Sequence, residues 1–126
     1  MNNNINYFKS IFESFGYNTS NVKGFDSNRY FTADNGFFVI FCIFYSCYSD
    51  AVSAVTFLSG EKSKIEKMIK LEINFPTINN EDYFIERGVK RIDPILYNHD
   101  YTAAEIERAL HSTTDYIKKY YSFKLK

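Results

Sequence analysis

The longest apolar stretch of the chain predicts the central strand of a sheet. Residues 37–48 read FFVIFCIFYSCY and contain no charge, and such β-branched and aromatic side chains favour a pleated, buried surface. Strand alternation places Phe38, Ile40, Cys42 and Phe44 on one face and Phe37, Val39, Phe41, Ile43 and Tyr45 on the other. Because both faces are apolar, we expect a central strand, about residues 37–46, covered on both sides. The stretch is too short for a membrane-spanning helix, which needs ~20 apolar residues.

The residues just before this stretch predict a tight hairpin. Asn35 and Gly36 form the pair that two-residue type I′ turns favour. Such a turn joins a strand over 29–34 to the central strand and sets Phe37 opposite Asp34. We therefore expect the two strands to pair antiparallel through this turn.

Apolar residues at helical spacing predict a helix near each end of the chain. The first covers about residues 4–15, ends before Gly16, and has the apolar positions Ile5, Phe8, Phe12 and Phe15. The second covers about residues 102–121 and begins with a capping box formed by Thr102 and Glu105. Its predicted buried stripe consists of Ile106, Leu110, Thr113, Ile117 and Tyr120 or Tyr121.

The middle of the chain is less clearly patterned. Residues 51–58 fit either a strand or the first part of a long helix, whereas residues 61–72 fit a helix. Residues 77–100 are predicted to be irregular, with a turn at Asp93-Pro94. Within this segment, residues 79–88 fit one or two helical turns that stop at Gly88, and residues 89–92 fit a short strand. The predicted fold is α+β in a single domain, 1–126: a small, mainly antiparallel sheet around strand 37–46, packed by the N- and C-terminal helices.

Composition and charge narrow the function classes. Aromatic residues make up 19% of the chain, with 13 Phe and 11 Tyr, and the 15 basic residues balance the 15 acidic ones. A nucleic-acid-binding protein is expected to show a one-sided basic footprint, which this balance does not favour. Cys42 and Cys47 fall on opposite faces of a continuous strand, so we expect reduced thiols. The N-terminal residues do not resemble a signal peptide, and we expect a cytoplasmic protein.

Candidate catalytic chemistry is sparse. His111 and Asp115 lie one helical turn apart and supply at most two of the three or four ligands that a metal site needs. His99-Asp100 is an adjacent pair in a predicted loop. The cysteines lie in the most apolar stretch, where burial makes a thiol inert. We therefore expect no catalytic, cofactor-binding or metal-binding residues, and a protein that acts through its surface.

In size, composition and lack of motif, the chain resembles the small immunity proteins of bacterial toxin–immunity pairs, including those of contact-dependent growth inhibition systems. The resemblance implies a protein that binds one cognate toxin and neutralises it. It carries over no particular residue, and the neutral charge differs from the acidic character of many nuclease inhibitors of this class. The alternatives are a small regulatory homo-oligomer and a small enzyme or ligand-binding domain.

One stretch is a candidate partner-binding surface. Loops on a rigid scaffold often carry binding residues, and tyrosine is a favoured interface anchor. The acidic residues of this stretch would steer a basic partner surface. In the other interpretation, the tyrosines cover the edge of the core and the acids are merely solvated. The candidate residues are Glu81, Asp82, Tyr83, Asp93, Tyr97, Asn98, His99, Asp100 and Tyr101.

Overall fold

A computed structural model describes residues 4–46, 52–71, 81–98 and 103–124 of the 126-residue chain. Its five strands form one antiparallel sheet in the order of the chain. They are β1 (Asn18–Asn21), β2 (Tyr30–Asp34), β3 (Val39–Ser46), β4 (Val52–Gly60) and β5 (Lys90–Asn98). The helices are α1 (Asn4–Ser14), α2 (Lys62–Leu71), α3 (Glu81–Glu86) and α4 (Ala103–Lys124). The predicted α+β class is confirmed.

Strand β3 is the middle strand, and helices cover both of its faces. On one face, Ile40, Cys42 and Phe44 pack with side chains of α1 and α4. On the other face, Val39, Phe41 and Ile43 pack with side chains of α2 and α3. The helical contributions to the first core are Ile5, Phe8, Ile11, Phe12, Leu110, Ile117 and Tyr121, and those to the second are Ile65, Met68 and Phe84. The prediction of a central strand with two buried faces is confirmed, whereas the prediction that Phe37 belongs to a buried face is wrong, because its side chain is 76% exposed.

The β2–β3 hairpin differs from the predicted two-residue turn. Asp34 pairs with Val39, so four residues form the loop and the register is shifted by two positions from the prediction. The carboxamide oxygen of Asn35 accepts hydrogen bonds from the backbone N–H groups of Phe37 (2.9 Å) and Phe38 (3.1 Å). Because this side chain satisfies donors that would otherwise pair across the strands, the turn is longer. Because the shift is two residues, the side chains of β3 from Val39 to Phe44 stay on their predicted faces.

The ambiguous segment after residue 51 is a strand. Strand β4 pairs with β3 along its length, from Ser53 opposite Ser46 to Gly60 opposite Val39. Its side chains alternate between the two cores: Phe57 packs in the first and Leu58 in the second. A helix would present only one face to one core, which explains why two-sided burial selects the strand. The alternative of one long helix across Gly60 is therefore wrong.

The segment 77–100 contains helix α3 and strand β5, and β5 continues beyond the short strand fitted at 89–92 to Asn98. Phe57 pairs with Ile92, and Val55 pairs with Ile95. Two residues of β5, Asp93 and Pro94, therefore lie opposite one residue of β4, Thr56. This is a β-bulge in an edge strand, the setting in which a sheet tolerates proline. The predicted turn at Asp93-Pro94 is wrong for that reason.

The two terminal helices agree with the sequence pattern. Helix α1 ends before Gly16, which has a φ of 93° and suits the left-handed cap. Helix α4 begins at Ala103, directly after the predicted capping residue Thr102, which lies outside the described residues. Its buried positions include Leu110, Thr113, Thr114, Ile117 and Tyr121, and it continues beyond the predicted end at 121 to Lys124.

Candidate functional site

Several chain reversals meet at one end of the sheet. The β2–β3 loop lies there because Val39 pairs with Gly60, and the α3–β5 turn lies there because Ser59 pairs with Lys90. The C-terminal part of α4 crosses the same end through Tyr121, whose hydroxyl contacts Ser59. We call this surface the hairpin end. It comprises three adjoining cavities.

The first cavity lies beside the hairpin loop and has a volume of about 590 Å³. Phe38 is buried beneath it, and its ring stacks on that of Tyr121 with centroids 4.9 Å apart. Phe37 is the next residue in the loop and is exposed to solvent. The cavity thus combines a fixed aromatic floor with one exposed aromatic ring at its rim. Its lining includes Phe15, Asn35, Phe37, Phe38, Lys118 and Tyr121.

A buried tyrosine fixes α4 to the sheet under this cavity. The hydroxyl of Tyr121 donates a hydrogen bond to the backbone carbonyl of Ser59 at 2.6 Å, and the Ser59 hydroxyl lies 3.3 Å away. Burial raises the pKa of Tyr121 from 10.0 to about 12, so the phenol is the stable form. The aromatic floor is therefore held by both packing and hydrogen bonding.

The second and third cavities extend the surface towards α2 and α3. The second has a volume of about 270 Å³, shares Tyr121 with the first, and has Ile85 at its rim with 55% of that side chain exposed. The third has a volume of about 460 Å³ and shares Lys64 with the second. Tyr121 therefore lies between the first and second cavities, and Lys64 between the second and third. The third is lined by Lys64, Lys67, Met68, Glu86 and Arg87.

Arg87 and Lys118, which line these cavities, lie over aromatic rings. The guanidinium of Arg87 is 3.6 Å from the centroid of Tyr83 and also donates a hydrogen bond of 2.8 Å to the Tyr83 carbonyl. The ammonium of Lys118 lies 5.7 Å from the centroid of Tyr17. Such contacts orient a cation without neutralising it. These positive charges therefore remain available to a ligand.

Six of the nine sequence-predicted binding residues lie in two elements of the structure. Glu81, Asp82 and Tyr83 lie in α3, and Asp93, Tyr97 and Asn98 lie in β5, whereas His99, Asp100 and Tyr101 lie outside the described residues. The α3–β5 turn leads into Lys90 at the hairpin end, but Tyr97 pairs with Ser53, six residues from Ser59 along β4. At ~3.3 Å per residue, the backbone of Tyr97 is roughly 20 Å from that end. The described members of the set are therefore not all brought together, and their role in binding stays a prediction.

Of the polar groups considered for chemistry, the structure describes His111, Asp115 and Cys42, whereas Cys47, His99 and Asp100 lie outside the described residues. The imidazole of His111 is 3.9 Å from the Asp115 carboxylate, and both side chains are more than half exposed. The thiol of Cys42 is buried between sheet and helices, and desolvation raises its pKa well above the ordinary value. Within the described ranges, no group of three or more potential metal ligands occurs, and no helix is long and apolar enough to cross a membrane.

The sequence interpretation missed the hairpin end. Phe37 belongs to an unbroken apolar run, and strand alternation assigned it to a core face. A local signal was present, because Asp34 and Asn35 are adjacent residues that can each accept turn N–H groups, and Asp34 does so from Gly36 at 2.8 Å. Two such acceptors in succession favour a longer loop, which leaves Phe37 at its tip.

No protein-family model, no curated protein and no solved structure matches this chain.

Proposed function

We propose that this protein binds another protein through the hairpin end, and that it serves in the cytoplasm as an immunity protein that neutralises a cognate bacterial toxin. The observation that carries the proposal is Phe37, which is 76% exposed beside an apolar cavity although it belongs to the most hydrophobic stretch of the chain. An exposed large apolar side chain within a contiguous patch is typical of an interaction site.

The energetics of this residue suit an interface anchor. Burying roughly 150 Å² of phenyl surface contributes about 3–4 kcal/mol at ~25 cal/mol per Å². Phe38 and Tyr121 are already stacked beneath the cavity, so little side-chain ordering opposes binding there. Aromatic anchors beside preformed pockets are the usual hot spots of protein–protein interfaces.

The toxin part of the proposal is supported by the sequence resemblance to small immunity proteins. It is also supported by the positions of the polar groups: His111 and Asp115 are solvated, and the Cys42 thiol is buried and protonated. Neither arrangement forms an activated nucleophile or a general acid–base pair. Binding, not catalysis, is the activity that the surface favours.

The experiment compares capture by three immobilised proteins: the wild type, Phe37→Ala and Tyr116→Ala. Tyr116 is the matched control because it is also an exposed aromatic residue, at 51%, but does not line the first cavity. Proteins captured from the native organism by the wild type and by Tyr116→Ala, but not by Phe37→Ala, are identified, purified and titrated. We expect Phe37→Ala to weaken Kd by about 30-fold or more, the effect of a hot-spot residue.

A growth assay then tests neutralisation. The captured protein is expressed in a bacterial host with the wild type or with Phe37→Ala. We expect it to arrest growth alone, the wild type to restore growth, and the variant to restore it less. A partner that never affects growth would contradict the immunity role, and equal affinity of all three proteins would remove Phe37 from the interface. Capture of the chain itself, with a mass that rises with concentration, would favour the homo-oligomer.

The nine-residue surface predicted from the sequence has a separate test. Asp82, Tyr97 and Asp100 are each replaced by Ala, and melting temperature and affinity for the same partner are measured. Loss of affinity with an unchanged melting temperature would place part of the interface there. Unchanged affinity in all three variants would mean that this surface does not contribute to binding of the partner.

A further inference from the structure

The charges around the hairpin end indicate the chemistry of its partner. We infer, as an extension of the proposed function, that the partner is a protein whose docking face is acidic and places carboxylates in the cleft between α2 and α3. The same face would insert an apolar side chain beside Phe37. This inference concerns the partner's charge, whereas the proposed function concerns whether a partner binds at this end.

Positive charge predominates where the three cavities adjoin. Among the residues that the structure describes, their linings contain four cations, Lys64, Lys67, Arg87 and Lys118, and two anions, Glu61 and Glu86. The whole chain, in contrast, has a formal charge of zero. The described lining of the three cavities therefore carries a net positive charge, and such a surface attracts anionic groups.

The geometry of the α2–α3 cleft suits carboxylates. Lys64 and Lys67 lie three residues apart on α2 and therefore project from neighbouring positions on one side of the helix. Arg87 approaches the same cleft from the end of α3, with its guanidinium already oriented by Tyr83. Its remaining N–H donors can bind a carboxylate. Neither lysine makes an ion pair or a hydrogen bond with any other residue that the structure describes, so binding need not first break such a contact.

An acidic protein face fits this surface better than a nucleic acid does. Glu61 and Glu86 lie among the cations and would repel a continuous phosphate backbone. A protein can place apolar side chains against Phe37 and Ile85 and carboxylates against the lysines. The mixture of exposed apolar groups and separated cations therefore matches a folded, acidic partner.

The test is a salt series on the captured partner with a charge-reversal variant and a matched control. Lys64→Glu/Lys67→Glu reverses the cleft, whereas Lys62→Glu reverses an exposed charge on the same helix that lines none of the three cavities. Lys62 lies about 200° around α2 from Lys64. We expect the double variant to weaken Kd at least about tenfold at ~50 mM salt and much less at ~500 mM. Phe37→Ala should weaken binding by a similar factor at both concentrations, and Lys62→Glu should change it less than about threefold.

The outcomes separate this inference from the proposed function. If Phe37→Ala abolishes binding while the lysine reversal changes neither Kd nor its salt dependence, the binding surface is correct and the acidic partner is wrong. If neither Phe37→Ala nor the lysine reversal changes Kd, both proposals are wrong. Direct titration with a 20-residue poly-glutamate and with a 20-nucleotide DNA strand tests the class of ligand. DNA that binds more tightly than the peptide, and is lost with the lysine reversal, would identify a nucleic-acid site and overturn the inference.

Discussion

Phe41 and Phe37 provide a matched test of the structure, since they lie four residues apart in the same apolar stretch. Phe41 is fully buried, stacks on Tyr30 with centroids 5.8 Å apart and meets the edge of Phe25 at 6.1 Å. Phe37 lies at the exposed tip of the hairpin. The same substitution, Phe to Ala, should therefore have very different effects on stability at the two positions.

The magnitudes follow from these environments. Phe41→Ala removes a buried ring and leaves a cavity between the sheet and the α2–α3 layer, which should lower the free energy of unfolding by about 3–5 kcal/mol. Loss of its ring contacts with Tyr30 and Phe25 places the value towards the upper end. Phe37→Ala removes mostly solvent-exposed surface and should change it by less than ~0.5 kcal/mol.

Urea unfolding at 25 °C, followed by far-ultraviolet circular dichroism, measures both variants against the wild type. The slopes of the transitions should agree, so that the midpoints report stability alone. A cost below ~1 kcal/mol for Phe41→Ala would refute its assignment to the core. A cost of ~2 kcal/mol or more for Phe37→Ala would mean that its ring is buried in solution. Phe37 would then not be an exposed anchor for a partner at the hairpin end.

Three further predictions concern single side chains. Tyr121→Phe should cost about 1–2 kcal/mol at neutral pH by removing a buried hydrogen bond. Because the folded-state pKa of Tyr121 is raised from 10.0 to about 12, its contribution is complete below pH 10 and is lost as the pH rises towards 12. Between pH 10 and 12, the urea midpoint of Tyr121→Phe should therefore fall less steeply with pH than that of the wild type. Parallel curves for the two proteins would contradict the buried, protonated state of Tyr121. In a Cys47→Ser background, Cys42 should react with iodoacetamide only as fast as the protein opens, whereas rapid labelling of the folded state at neutral pH would contradict its burial. Thr102→Ala should destabilise by ~1 kcal/mol, and an absence of coupling with Glu105→Ala in a double-mutant cycle would disprove the capping box.

Hydrophobic periodicity correctly predicted the elements that bury one face, such as α4, or both faces, such as β3. Helix α4 shows a clear stripe, and β3 has two apolar faces, so each pattern allows one solution. The segment at 52–60 fits both periods, and only pairing with β3 on one side and β5 on the other decides for a strand. A local sequence pattern carries no information about such non-local strand pairing.

The errors have local causes. Asn35 accepts two backbone N–H groups and lengthens the hairpin loop, which moves Phe37 from the predicted core to the surface. Asp93-Pro94 is a frequent turn signal, but here a bulge accommodates it within β5. The hairpin end could not be predicted, because it joins residues that follow α1 with residues of the β2–β3 loop, α2, α3 and α4. Only the tertiary fold brings these residues together.

The two edges of the sheet affect how this protein behaves at high concentration. Without net charge, molecules lack the mutual repulsion that keeps many proteins apart, and an open strand edge would then invite sheet-to-sheet growth into fibrils. One edge, β1, is only four residues long and reads Asn-Thr-Ser-Asn. The other, β5, has a bulge in its middle where Pro94 offers no N–H to an incoming strand. Replacing Pro94 by Val, a residue that can continue the ladder, should therefore hasten aggregation on storage even if the fold itself becomes no less stable.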